Sequence, residues 1–190
     1  MYNLKGNYFN NEYVQPITTG PHATDIYINR ESPADTSLLL WKLPIEYTNI
    51  DDIVDSAVKG YQTWRNTSVE ERISYLRKYQ ENLKEKSEEI AKAIALEVGK
   101  PLWEAKTEAA ALIAKVDVTI SDSLPRVTTK NYEDIAPDTN GAVYFKPIGP
   151  SFIIGPFNFP CHLANGQITS LLISGNSIIF KPSEKTCYSS

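Results

Sequence analysis

"IIGPFNFPCHLANG", Ile153 to Gly166, decides how this chain is read. An apolar run leads straight into a turn where Pro156 and Pro160 bracket Phe157, Asn158 and Phe159. Proline fixes its own φ and restricts the residue before it, so this turn is stiff. Asn158 sits at its tip. A neutral side chain with two N–H donors, held rigidly, suits a developing oxyanion. Asparagine is also a preferred helix cap, and a helix is expected to begin near Pro160. Both readings of Asn158 stand on these residues alone.

Working outward, "PSFIIG" before the turn reads as a short buried strand. Leu163, Ile168, Leu171 and Leu172 recur at helical spacing after it. "GN" then turns the chain and "SIIF" is a second apolar strand. Strand, helix and strand predict a βαβ unit with parallel strands over 147–190. Two parallel strands leave open sheet edges, so the chain is expected to be the front part of a longer protein.

Upstream, the periodicity changes twice. "YNLKGNYFNNEYVQP" predicts a small hairpin, with strands in "TDIYINRES" and "TSLLLWKLPIEY". Thr48 or Asn49 is expected to cap a helix carrying Ile53, Val54, Ala57, Val58, Tyr61 and Trp64 on one face. "SVEE" from Ser68 is a capping box opening a second helix through Val69, Ile73, Leu76, Tyr79 and Leu83. The face continues after Ser87 through Ile90 and Ile94. Gly99 is expected as a left-handed C-cap, with Pro101 in the first turn of the next helix. That helix is "LWEAKTEAAALIAKVDVTIS", with Ala109, Leu112, Ile113 and Val116 as its stripe. Pro125 ends it. "RVTTKNYEDI" and "GAVYFKPIG", joined by "APDTNG", predict a mostly polar hairpin arm over 126–146. Residues 1–125 are then strands and helices of the same domain as the βαβ unit.

Composition narrows the function. Of the 190 residues, 42% are hydrophobic and 22% charged, which excludes a disordered chain. A net charge of −4 gives no basic footprint for nucleic acid or an acidic membrane. "MYNLKGNYFNNEY" has no basic region followed by an apolar stretch, so no signal peptide is expected. Cys161 and Cys187 have no metal-like spacing, and no metal is expected. Free thiols in a reducing, cytoplasmic setting are the expectation.

In open α/β sheets, ligands gather at the carboxyl ends of the strands. Two loops sit there, "GPFNFP" and "KPSE". Glu184 can accept hydrogen bonds from the two hydroxyls of a ribose, and Lys181 can reach a ribose oxygen or a phosphate. A solvated loop with an ordinary surface pair is the plain alternative. Ser183 is placed to cap a helix in "EKTCYSS". Neither GxGxxG nor GxxxxGK[ST] follows either strand. His22 and His162 read as structural or surface residues. Cys161 lies at a helix start, which favours a thiolate, but packing is the expected role.

"GPFNFP", the helix after it and "GNSIIFKPSE" together resemble the aldehyde dehydrogenase superfamily, as does the order of elements over nearly the whole chain. "ALEVGKPLWEAKTEAAALIAKV" strengthens the resemblance, since an E-x-GKP-x-x-E-A segment is typical of these enzymes. "FNFPCHLANGQI" is similar to the N-succinylglutamate 5-semialdehyde dehydrogenases of arginine catabolism. The resemblance implies the N-terminal part of that α/β fold, with a Rossmann-like parallel sheet. It implies NAD-dependent oxidation of an aldehyde to a carboxylic acid.

By resemblance, Asn158 donates its amide to a thiohemiacetal oxyanion. Ile154, Gly155, Pro156 and Phe157 line the nicotinamide-ribose side of the cleft. Lys181 and Glu184 hold the adenosine ribose, with Ser183 in the same cofactor loop. A carboxylate at Glu184 repels a 2′-phosphate, which favours NAD over NADP. The hairpin arm implies a homo-oligomer. The family's nucleophilic cysteine and general-base glutamate lie downstream of "KPSE", and Cys161 and Cys187 match neither the nucleophile's position nor its motif. Two other readings stay open: a different semialdehyde or fatty-aldehyde dehydrogenase, and a catalytically silent piece that binds a partner through its arm.

Overall fold

The computed structural model describes residues 2–20 and 24–190. His22 lies outside them. Strands β1 (Asn7–Phe9) and β2 (Glu12–Val14) form the expected hairpin, with Asn10 and Asn11 at positive φ in its turn. Strands β3 (Tyr27–Ser32) and β4 (Asp35–Pro44) pair antiparallel and bury Leu40 and Trp41.

Four helices follow: α1 (Ile50–Trp64), α2 (Val69–Glu85), α3 (Ser87–Val98) and α4 (Leu102–Val118). Ser68 caps α2 as the capping box requires, its hydroxyl accepting from the Glu71 amide at 3.2 Å. Gly99 ends α3 at φ 79°, and a Cβ there would lie 2.8 Å from Pro33 Cβ. Conformation and space both require glycine there. Asn49 precedes α1 but makes no capping hydrogen bond, contrary to expectation. Val54 and Val58 of α1 are exposed, because that helix packs through Ala57 with support from Ile53, Tyr61 and Trp64.

Helix α4 runs into a single π turn (Thr119–Ser123) and a 3-10 turn (Leu124–Val127). Pro125 has no N–H for a helical ladder, so the chain leaves the helix here. Thr119 Oγ1 meets Thr169 Oγ1 at 2.8 Å within the core. Strands β5 (Lys130–Ala136) and β6 (Thr139–Val143) form the arm, shorter than the expected 126–146. Every residue of β5 is exposed, including Tyr132 and Ile135.

Strand β7 (Ser151–Ile154), helix α5 (His162–Ile173) and strand β8 (Ile178–Lys181) make the βαβ unit, with β7 and β8 parallel from Ser151↔Ile178 to Ile154↔Lys181. Only Ile153 of β7 is fully buried, while Phe152 and Ile154 stand exposed on the other face. Helix α5 is held by its neighbours. Asn165 donates to Leu112 O at 3.0 Å and accepts from the Tyr79 hydroxyl at 3.0 Å. The main core joins Ala91, Ile94, Ala105, Ala109, Leu112 and Cys161.

Candidate functional site

The two loops meet at the carboxyl ends of β7 and β8. Gly155 N donates to Lys181 O at 2.8 Å, extending the strand pairing to the rim. A Cβ on Gly155 would lie 2.9 Å from the Phe180 ring and 3.4 Å from Pro182 Cα, so glycine allows the loops to touch. Lys185 stands 4.7 Å from the centre of the Phe157 ring and ties the two loop tips together.

Asn158 is exposed at this rim. Among the described residues its side-chain amide has no hydrogen-bond partner, and it caps no helix. Helix α5 begins at His162, with Cys161 at the cap position. The capping reading of Asn158 therefore fails. The capping work is done from below by another helix. Glu108 Oε1 accepts from the backbone N–H of Cys161 at 3.2 Å and of His162 at 3.3 Å. Its other oxygen, Oε2, accepts from Lys100 Nζ at 2.9 Å. Lys100 also donates to the Asn158 backbone carbonyl at 2.9 Å and lies 4.0 Å from the centre of the Phe159 ring. Glu108 is 2% exposed, so the ion pair is buried under the turn.

The second loop is more open. Lys181 Nζ and Glu184 Oε2 are 4.0 Å apart, and both side chains are more than half exposed. They present a donor and an acceptor to solvent beside Gly155. Ser183 differs from expectation. It is buried, its hydroxyl accepts from Lys185 N at 3.2 Å, and the residues after it form turns rather than a helix. Its side chain shapes the loop instead of facing the rim. Behind the loop the tail is held by Glu97, a fully buried carboxylate. Glu97 accepts from the Trp41 indole N–H, from Tyr188 N at 3.1 Å and from Ser189 N at 2.7 Å.

Ile154 and Phe157 are exposed at the rim and Pro156 is half-buried between them. Cys161 is not placed for nucleophilic attack. Burial first, then the nearby Glu108 charge, push its thiol well above the ordinary range. Cys187 is pushed up to about 11, again by burial first and then by Glu97. Thiolates are the reactive form, so both cysteines are held inert.

A sequence profile of the aldehyde dehydrogenase family matches residues 22–190. The chain belongs to the aldehyde dehydrogenase family. It is 35% identical over 182 residues to an N-succinylglutamate 5-semialdehyde dehydrogenase of Legionella pneumophila (strain Corby), covering 96% of this chain and 35% of that protein. The chain thus spans about a third of the length of the curated relatives it matches. An aldehyde dehydrogenase from Brucella melitensis biovar abortus 2308 superposes with a TM-score of 0.82 at 22% identity, over 94% of this chain and 35% of that one. An NADP-dependent glyceraldehyde-3-phosphate dehydrogenase from Bacillus halodurans C-125, solved with NADP, gives 0.79 at 26% identity over 95% and 38%. The α/β architecture is that of about a third of the aldehyde dehydrogenase fold.

Sequence reasoning quoted Glu97 and Lys100 within the E-x-GKP-x-x-E-A segment without giving them a role, and it did not single out Glu108. A signal was present. Glu108 falls three residues after Ala105 and four before Leu112, on the apolar stripe of α4. Glu97 falls likewise three residues after Ile94 on α3. A charge on a buried stripe needs a partner, and the partner marks a place the fold holds fixed.

Proposed function

We propose that this chain carries the oxyanion donor and part of the nucleotide site of an NAD-dependent aldehyde dehydrogenase, acting on N-succinylglutamate 5-semialdehyde and yielding N-succinylglutamate in arginine catabolism. The observation that carries the reading is Asn158. Its backbone is pinned, its side-chain amide is unpartnered among the described residues, and it stands exposed in the loop that follows β7. The named Legionella relative supports the substrate.

Residues 1–125 and 147–190 then belong to the cofactor-binding domain, and 126–146 is an oligomerisation arm. Tyr132, Ile135, Val143 and Tyr144 are exposed there, an apolar surface suited to a second copy of the chain. The domain works in a reducing, cytoplasmic setting. Among the described residues no helix is long and apolar enough to cross a membrane.

The residues present fit the cofactor. Gly155 lets the two loops pack together at the rim, and the exposed Glu184 and Lys181 offer an acceptor and a donor to ribose hydroxyls. The carboxylate of Glu184 disfavours a 2′-phosphate, which selects NAD. Bound NAD supplies the hydride acceptor. Ile154, Gly155, Pro156 and Phe157 form the wall that orients its nicotinamide side, with Ser183 setting the shape of the second loop. Asn158 donates its side-chain N–H to the oxygen that becomes negative when a cysteine thiolate adds to the aldehyde. Neither Cys161 nor Cys187 is placed to be that cysteine, since both thiols are buried and held protonated.

Asn158→Ala in the protein as its gene encodes it tests this reading. Turnover on the semialdehyde should fall by about a hundredfold or more, with the NAD dissociation constant nearly unchanged. Turnover close to the parent's removes Asn158 from the chemistry. Glu184→Ala should do the reverse, weakening NAD with less effect on the chemical step. A preference for a neutral long-chain aldehyde over the succinylated one overturns the substrate.

A further inference from the structure

We infer that the buried Lys100–Glu108 pair is a positioning device for Asn158, acting on the turn from beneath without touching substrate or cofactor. The inference rests on the reading of Asn158 given above. One ion pair grips the turn at two points. Lys100 holds the Asn158 carbonyl at 2.9 Å, and Glu108 holds the first two amides after Pro160 at 3.2 and 3.3 Å. Pro156 and Pro160 restrict the backbone between these grips. The Phe159 ring lies 4.0 Å from the ammonium and helps to shield the pair from water. The Lys100 side chain is 7% exposed and that of Glu108 0%, so solvent screens the pair little.

This arrangement does more than cap α5. Capping needs only an acceptor for the Cys161 and His162 amides, which Glu108 Oε1 already provides. The lysine adds nothing to that cap. Its remaining reach goes to the Asn158 carbonyl and to Glu104 Oε1, 3.6 Å away. Fixing the carbonyl of a residue fixes the Cα from which its side chain projects. A donor set about 1 Å out of place loses rate on the order of a hundredfold, so the height of this turn matters.

The test separates cap from position. Glu108→Gln keeps a carbonyl for both amides but removes the charge that holds Lys100. Lys100→Met removes the grip on Asn158 and leaves the cap. In the protein as its gene encodes it, each should lower kcat by about tenfold to a hundredfold with the KM for NAD unchanged. The Lys100→Met/Asn158→Ala double variant should be no slower than Asn158→Ala alone, because the pair acts through that amide. Multiplicative losses, or a folded Lys100→Met with parental kcat, overturn the inference. Parental kcat in Asn158→Ala is a different failure, that of the underlying reading.

A second readout needs no activity. With ¹⁵N-asparagine labelling, the side-chain amide signal that vanishes in Asn158→Ala should shift and broaden in both Glu108→Gln and Lys100→Met. An unmoved signal in either folded variant overturns the inference. Should Lys100→Met fail to fold, Glu108→Gln carries both readouts.

Discussion

Glu97 and Glu108 are both buried carboxylates on successive helices; Glu108 holds the loop carrying Asn158, and Glu97 holds the tail behind the second loop. They are satisfied differently. Glu108 has a lysine at 2.9 Å and two backbone amides. Glu97 has the Trp41 indole and two backbone amides, with no cation in salt-bridge range among the described residues. A buried anion needs compensation, and dipoles serve where no counter-charge is present. The cation therefore marks the loop carrying Asn158, while the dipole-only site anchors the tail behind "KPSE". One glutamate joins a charge network buried beneath the rim, and the other closes a seam between β4, α3 and the tail.

The largest effect should come from breaking the seam. Glu97→Ala leaves the Trp41 N–H and two backbone amides without their acceptor and opens a cavity. Each buried unmade donor costs about 1–3 kcal/mol, so a loss of about 3 kcal/mol or more is expected. Urea unfolding followed by tryptophan fluorescence measures it. A loss under about 1 kcal/mol would mean that the tail stays in place without Glu97, and the comparison collapses.

Much of this frame was legible beforehand. The βαβ unit, the αL cap at Gly99 and the Ser68 hydroxyl cap follow from local chemistry, which the tertiary structure did not override. The stiffness of the turn around Asn158 was readable because Pro156 and Pro160 leave few conformations. The failures share a cause. The sequence does not say which distant group will satisfy a helix end. Asn158 looked like a cap because asparagine often is one, yet α5 is capped by Glu108, 53 residues upstream of Cys161. Ser183 looked free to face a ligand, but its own loop uses its hydroxyl. Val54 and Val58 had helical spacing, but spacing gives a face and not its cover.

Removing the cation should cost less than removing Glu97. Lys100→Ala strands Glu108 without its counter-charge, and breaking a buried pair usually costs about 3–5 kcal/mol. Glu108 keeps its two amide donors, so about 2–3 kcal/mol is expected, again by urea unfolding. A larger loss than in Glu97→Ala would reverse the ranking and make the charged network the main structural anchor.

The smallest effect is electrostatic, and it reads both glutamates at Cys187. Burial and then Glu97 raise the Cys187 thiol from 9.0 to about 11. Burial raises the Tyr79 phenol from 10.0 to about 12. A raised pKa means that the folded state holds its proton more tightly than the unfolded chain does. The resulting stability is complete below about pH 9 and is lost as pH rises through about 11–12, so the melting temperature should fall across that window. At pH 8 the same shift leaves Cys187 about a hundredfold less thiolate than an ordinary thiol, and alkylation should be slower in proportion. Glu97→Gln removes the charge but not the burial, so Cys187 should react a few-fold faster and still well below an ordinary thiol. Glu108→Gln should leave Cys187 unchanged, since Glu108 is not among the charges that shift it. Equal acceleration by both substitutions would mean that the two carboxylates share one field, and the division between an ion-paired network and a dipole-held seam would not hold.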